Sequence, residues 1–192
     1  MIYVCQKKIN DIWYGVAIQK NKVLATYFSV KEPDLDYLLR KLPKDFQFKV
    51  VEEPTKMLSE TLLILDEIFK GQDQEDYLIN VEFDHLSSYS QKVLNYTRLI
   101  PVGYVTTYNS ISKVAGGIAR SVGHVEASNP FPLLIPCHRV ICSDLSLGGY
   151  GYGEQIKREL LERENRGYQE PKILKIGDGE LSLFPVTLIK KM

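Results

Sequence analysis

The hydrophobic positions in the first third of the chain favour a sheet. Short runs rich in Ile, Val, Tyr and Phe are separated by polar breaks, and two of these breaks, Asn-Asp and Lys-Asn-Lys, suit the tight turns of hairpins. The pattern predicts strands at residues 2–6, 12–19, 22–30 and 46–51.

Two segments of the same region have helical spacing instead. Leucines recur at helical intervals within residues 34–42, and apolar positions of residues 55–69 fall on one helical stripe. The sequence from Gly71 to Asp76 is polar and turn-like, as expected near a domain boundary. We therefore expect a small N-terminal α/β domain at residues 1–84.

The pattern then becomes mainly helical. Helices are predicted at 87–99, 118–128 and 154–166, and another is capped by Thr106 and Thr107 and runs to about residue 115. A Gly-Gly pair, residues 116 and 117, separates this helix from the one at 118–128, which is the arrangement of a helix-turn-helix.

The rest of the chain lacks helical spacing. Residues 129–141 are Pro-rich and extended, 148–153 form a glycine-rich loop, and 172–189 alternate around Asp-Gly as in a hairpin. The predicted fold class is α+β. A small N-terminal domain of β-sheet and helix precedes a mostly helical C-terminal domain at 85–167, which contains the helix-turn-helix, and a C-terminal extension occupies 168–192.

Composition and charge are those of an ordinary globular protein. Of 192 residues, 44% are hydrophobic and 25% charged, and the net charge is zero, yet residues 85–167 carry nine Lys or Arg against six Asp or Glu. The start of the chain has no signal-peptide pattern, and no stretch reaches the about 18 apolar residues of a membrane span. We expect a cytoplasmic protein.

The helix predicted at 118–128 has two different faces. Ile118, Val122 and Val125 share a face that we expect to be buried. The opposite face combines one long cation with small residues, so its backbone could approach a ligand closely while a guanidinium reaches out; its members are Arg120, Gly123, His124 and Ala127. Taken alone, an ordinary solvated face explains this pattern better.

The clearest candidate for chemistry is Cys137, which follows Pro136 and precedes His138 and Arg139. Neighbours that carry positive charge lower a thiol's pKa, so we expect an activated cysteine, with proton relay through a water or a shared partner. The three cysteines are too few for a disulfide framework. No second pair of ligands completes a zinc site with Cys137, His138 and Cys142, so we expect no metal.

A carboxylate could complete this group. In the helix at 154–166, Ile156, Leu160 and Leu161 define the buried side, and Glu164 falls on the same side. A buried carboxylate needs a partner, so Glu164 either orients His138, as in nucleophile–base–orienter sets, or forms a structural ion pair with Arg139.

Residues 98–166 resemble the C-terminal domain of the O6-alkylguanine-DNA alkyltransferases. The decisive string is Pro136-Cys137-His138-Arg139-Val140. Further matches occur in the same order and spacing at Thr107-Tyr108, Ala119-Arg120-Ser121-Val122-Gly123, Asn129-Pro130, Gly149-Tyr150 and Glu164. The N-terminal third agrees only in its coarse layout, and the tail beyond about residue 168 shows no resemblance.

The resemblance implies a role for each matching residue. Cys137 would accept the alkyl group, His138 would take its proton through a water, Glu164 would orient the imidazole, and Asn129 would hold the turn. The helix with Arg120, Ser121, Gly123 and Ala127 would lie in the minor groove, where Arg120 fills the stack vacated by a flipped base. Tyr108 would donate to the guanine ring or crowd the phosphate during flipping. The base would be held by Val140, Tyr150, Gly151 and Tyr152.

The implied function is DNA repair by direct reversal. An alkyl group would move irreversibly from O6 of guanine, or from O4 of thymine, in double-stranded DNA to Cys137, once per molecule and without a cofactor. We expect a monomer that does not bind membranes. The alternatives are a non-catalytic protein of the same fold that binds alkylated DNA, a helix-turn-helix regulator, and a cysteine hydrolase.

Three positions depart from the family pattern. Gly151 replaces a hydroxyl residue, so only its backbone can contact the base. Tyr152 occupies a position at the rim of the pocket, where a ring would narrow it. The recognition helix carries Glu126 and no second arginine, which lowers the expected attraction to phosphates.

Overall fold

The computed structural model describes residues 1–43, 46–73 and 79–190. The described residues form two compact units, one drawn from 1–43, 46–69, 79–86 and 130–134, and the other from 70–73, 87–129 and 135–190. The chain leaves the first unit after residue 86 and returns to it for residues 130–134. Residues 74–76 of the predicted boundary region lie outside the described residues.

The first unit contains one four-stranded sheet with the strand order β3-β2-β1-β4. Its elements are β1 (Ile2–Ile9), β2 (Ile12–Gln19), β3 (Lys22–Ser29), α1 (Leu35–Arg40), β4 (Phe48–Val50) and α2 (Lys56–Phe69). The first three strands pair antiparallel, and β4 lies parallel to β1. Both hairpin turns have two residues with positive φ, as the polar breaks predict.

Helices cover both faces of this sheet. On one face, α1 packs against a cluster that includes Ala17, Ala25 and Tyr27. On the other face, Phe69 of α2 contacts the rings of Tyr14 and Phe28. Because both faces are buried, β2 and β3 consist of nearly continuous apolar runs without a clear polar alternation.

The second unit combines helices with a second sheet. Its elements are α3 (Ser88–Arg98), β5 (Tyr104–Thr107), α4 (Tyr108–Ala115), α5 (Ala119–Ser128), β6 (Val140–Ile141), α6 (Glu154–Glu164), β7 (Lys172–Ile176) and β8 (Gly179–Pro185). The sheet has the order β6-β5-β8-β7, with β5 parallel to β6 and antiparallel to β8. Among the helices of the described chain, none combines the length and apolar character needed to cross a bilayer.

The pattern predicted the helices of this unit but not its sheet. β5 has four residues and β6 has two, so neither is long enough to show an alternating pattern. Thr106 lies in β5, and Thr107 alone caps α4, where its side chain accepts a hydrogen bond from the backbone N–H of Ser110. The predicted hairpin is present, but it adds strands to this sheet through the pairing of β8 with β5.

The helices α4 and α5 contact each other across a short connection. Gly116 and Gly117 in this connection have φ of 85° and 84°, a conformation that disfavours residues with side chains. Ile118 caps α5 with an extended backbone and is 63% exposed, so the prediction that it faces the core is wrong. The helical period applies only from Ala119 onward, and within the helix Val122 and Val125 are buried as expected.

Candidate active site

A short turn carries the cysteine. Residues 137–139 form one turn of 3-10 helix after Pro136, and the backbone N–H of Cys137 donates to the carbonyl of Ile135 at 2.8 Å. Asn129, at the end of α5, fixes this turn through its amide nitrogen Nδ2. That nitrogen donates to the carbonyl of Ile135 at 2.9 Å and to Cys137 Sγ at 3.2 Å.

Cys137 is buried, and its resting form is the neutral thiol. Burial, followed by the nearby Glu126 carboxyl group when it is ionised, raises the pKa of Cys137 to about 12. The hydrogen bond from Asn129 and the charge of Lys157 lower this pKa, but their effect is smaller. The expectation of a thiol activated by its cationic neighbours is therefore wrong for the resting protein, because desolvation disfavours the thiolate more strongly.

His138, Arg139 and Glu164 form a buried network behind the cysteine. Glu164 Oε1 lies 2.9 Å from His138 Nε2, and the guanidinium of Arg139 donates to both carboxylate oxygens at 2.9 Å. Arg139 also donates to the carbonyl of Ile100. Glu164 thus contacts both of the partners that were considered as alternatives, and one carboxylate serves the imidazole and the guanidinium together.

The charges of this network follow from its contacts. Burial by itself raises the pKa of Glu164, but Arg139 and His138 outweigh it and hold that pKa well below its ordinary value. Burial, together with the charges of Arg139 and Lys157, lowers the pKa of His138 more than Glu164 raises it. The imidazole is therefore neutral, and Nε2 donates its hydrogen to the carboxylate. His138 Nδ1 consequently carries a lone pair, and it has no hydrogen-bond partner among the described residues.

A cavity of about 300 Å³ opens beside Cys137. Its other lining residues come from α4, α5 and the glycine-rich loop, namely Tyr108, Gly123, Glu126, Ala127, Gly149, Tyr150 and Gly151. The structure thus brings five of the residues expected at the base or the DNA together with the cysteine. Val140 and Tyr152 are outside this lining set, although the ring of Tyr152 lies 5.5 Å from that of Tyr150.

The outer side of α5 is open. Arg120 and Ala127 are exposed, and Ser121 and Gly123 are partly exposed. A Cβ atom added to Gly123 would lie 4.0 Å from the ring of Tyr108, whose hydroxyl donates to the carbonyl of Gly149 at 3.4 Å. The small residues Gly123 and Ala127 therefore add little bulk where α5 lines the cavity, and Arg120 is exposed about one turn before Gly123 on the same helix.

Lys157 is a site residue that the sequence reasoning missed. It is fully buried on α6, and its ammonium group donates to the carbonyls of Leu147 at 2.6 Å, Val140 at 2.7 Å and Gly149 at 3.3 Å. Burial lowers its pKa to about 8. A helical stripe counted backward from Glu164 would have included Lys157, because the two residues are seven positions apart.

Glu126 is a second missed residue. We expected it to weaken the attraction of phosphates from the surface of α5, but it is buried and lines the cavity. Val122 and Val125, its buried neighbours on α5, show that this side of the helix faces inward. In the part of the chain that the structure describes, no group of three or more His, Cys, Asp or Glu residues could hold a metal ion.

Several known proteins are similar to this chain. Residues 88–166 match the family model of the 6-O-methylguanine DNA methyltransferase, DNA binding domain. A methylated-DNA–protein-cysteine methyltransferase of Methanocaldococcus vulcanius is 33% identical over 167 residues, which cover 82% of this chain and 94% of that protein. One from Methanocaldococcus jannaschii is 31% identical and covers 82% of this chain and 90% of its own length.

Solved structures agree over most of the chain. The O6-methylguanine-DNA methyltransferase of the archaeon Pyrococcus kodakaraensis has a TM-score of 0.64 at 25% identity and covers 85% of this chain and 99% of its own. The O6-methylguanine DNA methyltransferase of Methanococcus jannaschii has a TM-score of 0.62 at 27% identity and covers 89% and 99%. This chain belongs to the methylated-DNA–protein-cysteine methyltransferase family.

Proposed function

We propose that this protein repairs alkylated double-stranded DNA by transferring an alkyl group from O6 of guanine to Cys137 Sγ. The observation that carries the proposal is the position of Cys137. It lines a cavity large enough for a base, next to a neutral histidine that is hydrogen-bonded to a buried carboxylate. Membership of the family supports the same reaction.

The raised pKa of Cys137 leaves its thiol protonated at rest. The thiol must therefore lose this proton during the reaction. His138 is the base: with Nε2–H donated to Glu164, its Nδ1 takes the thiol proton through one bridging water. The imidazolium that forms is stabilised by the adjacent carboxylate. Asn129 holds Sγ of Cys137 in position through the hydrogen bond that its Nδ2 donates.

The transfer step balances without a cofactor. Sγ attacks the alkyl carbon, and the bond between that carbon and O6 breaks. The proton that His138 took from the thiol passes through water to the departing guanine, which restores the normal base. The product on Cys137 is a thioether, which has no activated leaving group. Each molecule therefore reacts once.

The alkylated base must leave the duplex before Cys137 can reach it. We propose that α4, the Gly116-Gly117 turn and α5 act as a helix-turn-helix whose second helix enters the minor groove. The small residues Gly123 and Ala127 allow the helix to approach the DNA closely, and Ser121 faces the DNA backbone. Arg120 fills the gap that the flipped base leaves in the base stack. Tyr108 lines the cavity and contacts the flipped base.

The glycine-rich loop completes the binding of the base. Tyr150 and the backbone of Gly151 line the cavity. The carbonyls of Val140 and Gly149 accept from Lys157, which ties β6 and the loop to α6. Tyr152 adjoins Tyr150 and limits the size of the alkyl group. We also propose that the protein acts as a monomer in the cytoplasm.

The test is the intact mass of the protein after incubation with a duplex that contains O6-methylguanine. We expect a gain of one methyl group on Cys137, no gain in Cys137→Ser, and a normal gain in the matched control Cys142→Ser. Retained DNA binding without a mass gain would support the non-catalytic alternatives. Turnover that leaves Cys137 unmodified would support a hydrolase.

The same assay with O4-methylthymine tests the second substrate. A mass gain from this duplex, dependent on Cys137, would extend the reaction to thymine.

A further inference from the structure

The C-terminal tail contacts the segment that leads into the glycine-rich loop. After β8, Val186–Leu188 forms one turn of 3-10 helix, and the chain continues to Ile189 and Lys190. The backbone N–H of Lys190 donates to the carbonyl of Leu145 at 3.0 Å. The match to the family model ends at residue 166, so this contact is made by a part of the chain that the family model does not include.

Apolar side chains join the same two segments. One buried cluster of the second unit includes Val186 and Ile189 of the tail together with Leu147, which directly precedes the glycine-rich loop. All three side chains are buried, and Leu145 packs against the cluster. The tail and the start of the loop therefore share one core, and truncating Ile189 would leave a space inside it.

The backbone of the loop has great conformational freedom, because four of its six residues, 148–153, are glycines. The position of such a segment depends on what holds its two ends. At one end, Gly153 leads into α6. At the other end, the carbonyl of Leu147 accepts from Lys157 at 2.6 Å, and the Leu147 side chain lies in the cluster with Ile189. The tail can therefore act on the loop through Leu147.

We propose that residues 186–190 form a strap that holds the glycine-rich loop, and that Ile189 is its positioning residue. Tyr150 and Gly151 of the loop line the cavity beside Cys137. The strap thus fixes the wall of the cavity against which an extruded base is held. The effect on alkyl transfer rests on the proposed function, whereas the mechanical coupling of the strap to the loop can be measured without it.

The first experiment measures a single turnover of methyl transfer to Cys137 at increasing concentrations of a duplex that contains O6-methylguanine. The loop acts on a base that has already left the duplex, so Ile189→Ala should lower the limiting rate at saturating DNA. We expect a decrease of roughly two- to thirtyfold, the range for coupling through packed side chains. The DNA concentration that gives half of the limiting rate should not change, because α5 is unaltered.

Two further variants separate positioning from stability. Ile189→Val keeps most of the side chain and should recover most of the limiting rate. Leu181 of β8 is also buried but, within the described part of the chain, lies outside the cluster that contains Ile189. Leu181→Ala should therefore lower stability and keep the wild-type limiting rate. The final number of methyl groups per molecule counts the folded molecules, so partial unfolding lowers this endpoint and not the rate.

Lys190→Pro tests the strap at an exposed position. It removes the N–H that donates to Leu145 and leaves the Ile189 side chain in the cluster. Ile189 has a ψ of 130°, which suits a residue that precedes proline. We expect a decrease of the limiting rate by up to about tenfold, the contribution of one hydrogen bond. Lys190→Ala keeps the N–H and should match the wild type.

Amide hydrogen exchange tests the strap without alkyl transfer. The N–H of Leu145 donates to the carbonyl of Cys142 and that of Gly153 to the carbonyl of Tyr150, both at 3.0 Å. Local opening of the loop and its preceding segment exposes these two amides to exchange. We expect exchange in Ile189→Ala to be at least about twofold faster at both amides, and unchanged in Leu181→Ala.

The proposal is overturned if Ile189→Ala keeps either the wild-type limiting rate or the wild-type exchange at both amides. It is also overturned if Leu181→Ala loses as much of either as Ile189→Ala does. These results leave the transfer to Cys137 itself intact. Absence of methyl transfer in the wild type would instead reject the proposed function, while faster exchange in Ile189→Ala would still support the strap.

Discussion

At the scale of single residues, the carboxylate of Glu164 holds two buried side chains. It accepts from His138 and Arg139, and all three residues are almost completely excluded from solvent. Removing one member of a buried ion pair is strongly unfavourable, because the remaining charge has no counterion. Glu164 therefore affects both the reaction and the stability of the second unit.

We predict that Glu164→Gln lowers the free energy of unfolding at pH 7 by about 3–5 kcal/mol, because it leaves Arg139 without a buried counterion. The folded-state pKa of Glu164 lies below its ordinary value of 4.5, so its contribution is present above that pH and is lost as the pH falls. Urea unfolding at pH 7 and pH 4 should show that the free energies of unfolding of the variant and the wild type differ less at pH 4.

Glu159→Gln on the same helix is the control for this experiment. Its ion pair with Arg163 is about one-third exposed on both sides. Such pairs contribute about 0–1 kcal/mol, so this variant should remain close to the wild type. A similar loss in both variants would contradict the role assigned to Glu164.

Glu126 has the opposite dependence on pH. Its folded-state pKa of about 8 lies above its ordinary value of 4.5, so the folded protein keeps a proton that the unfolded chain releases. The stability that this group contributes is complete below pH 4.5 and is lost as the pH rises to about 8. The loss is at most about 1.4 kcal/mol per pH unit.

Glu126→Gln removes this titration, so we predict that its stability relative to the wild type increases from pH 5 to pH 8. Urea unfolding of both proteins at four pH values in this range measures the difference. A difference that stays constant with pH would show that Glu126 does not keep its proton in the folded protein.

At the scale of the elements, the two sides of α5 have different roles. Its inner side carries Glu126 to the cavity, and its outer side exposes Arg120. If Arg120 promotes extrusion of the base, its removal should slow methyl transfer only from duplex DNA, where the base must be extruded. The two tasks can therefore be measured separately.

We predict that Arg120→Ala slows methyl transfer from O6-methylguanine in duplex DNA much more than transfer from the free modified base. The difference should not exceed the few kcal/mol, roughly a hundredfold in rate, that base flipping requires. Lys175→Ala, which removes an exposed cation from β7, serves as the control and should leave both rates unchanged. Equal losses on the two substrates would argue against insertion of Arg120 into the stack.

At the scale of the whole molecule, the C-terminal hairpin completes the core of the second unit. The match to the family model ends at residue 166, yet Leu181, Val186 and Ile189 beyond it are buried. The Thr106 hydroxyl donates to the carbonyl of Ser182 at 2.7 Å, and the Ser182 N–H donates to the hydroxyl of Ser110 at 2.9 Å. The tail is therefore part of the unit that carries the active site.

We predict that Leu181→Ala lowers the free energy of unfolding by about 2–5 kcal/mol, the usual loss for a fully buried leucine. Ile173→Ala on the other strand of the hairpin, where the side chain is 63% exposed, should change it by less than about 0.5 kcal/mol. Urea unfolding followed by circular dichroism measures both. Equal effects would mean that the hairpin does not contribute to the core.

The regular elements could largely be predicted from local pattern. The four strands and two hairpin turns of the first unit, and helices α1 to α6, lie within a few residues of their predicted positions. Each of these elements is long enough to show its own period, or contains residues with strong turn or cap preferences. The string around Cys137 likewise identified the candidate nucleophile and its neighbours, because these residues are adjacent in the chain.

What the sequence by itself determined is therefore local: the periods, the caps, the turns and the residue types around Cys137. Only the tertiary structure decided which groups lose their contact with water. It paired β5 with β6 and β8, buried Lys157 and Glu126 beside the cavity, and left Ile118 exposed. The physical reason is that burial and pKa depend on neighbours far away in the chain, whereas secondary-structure period depends on residues a few positions apart.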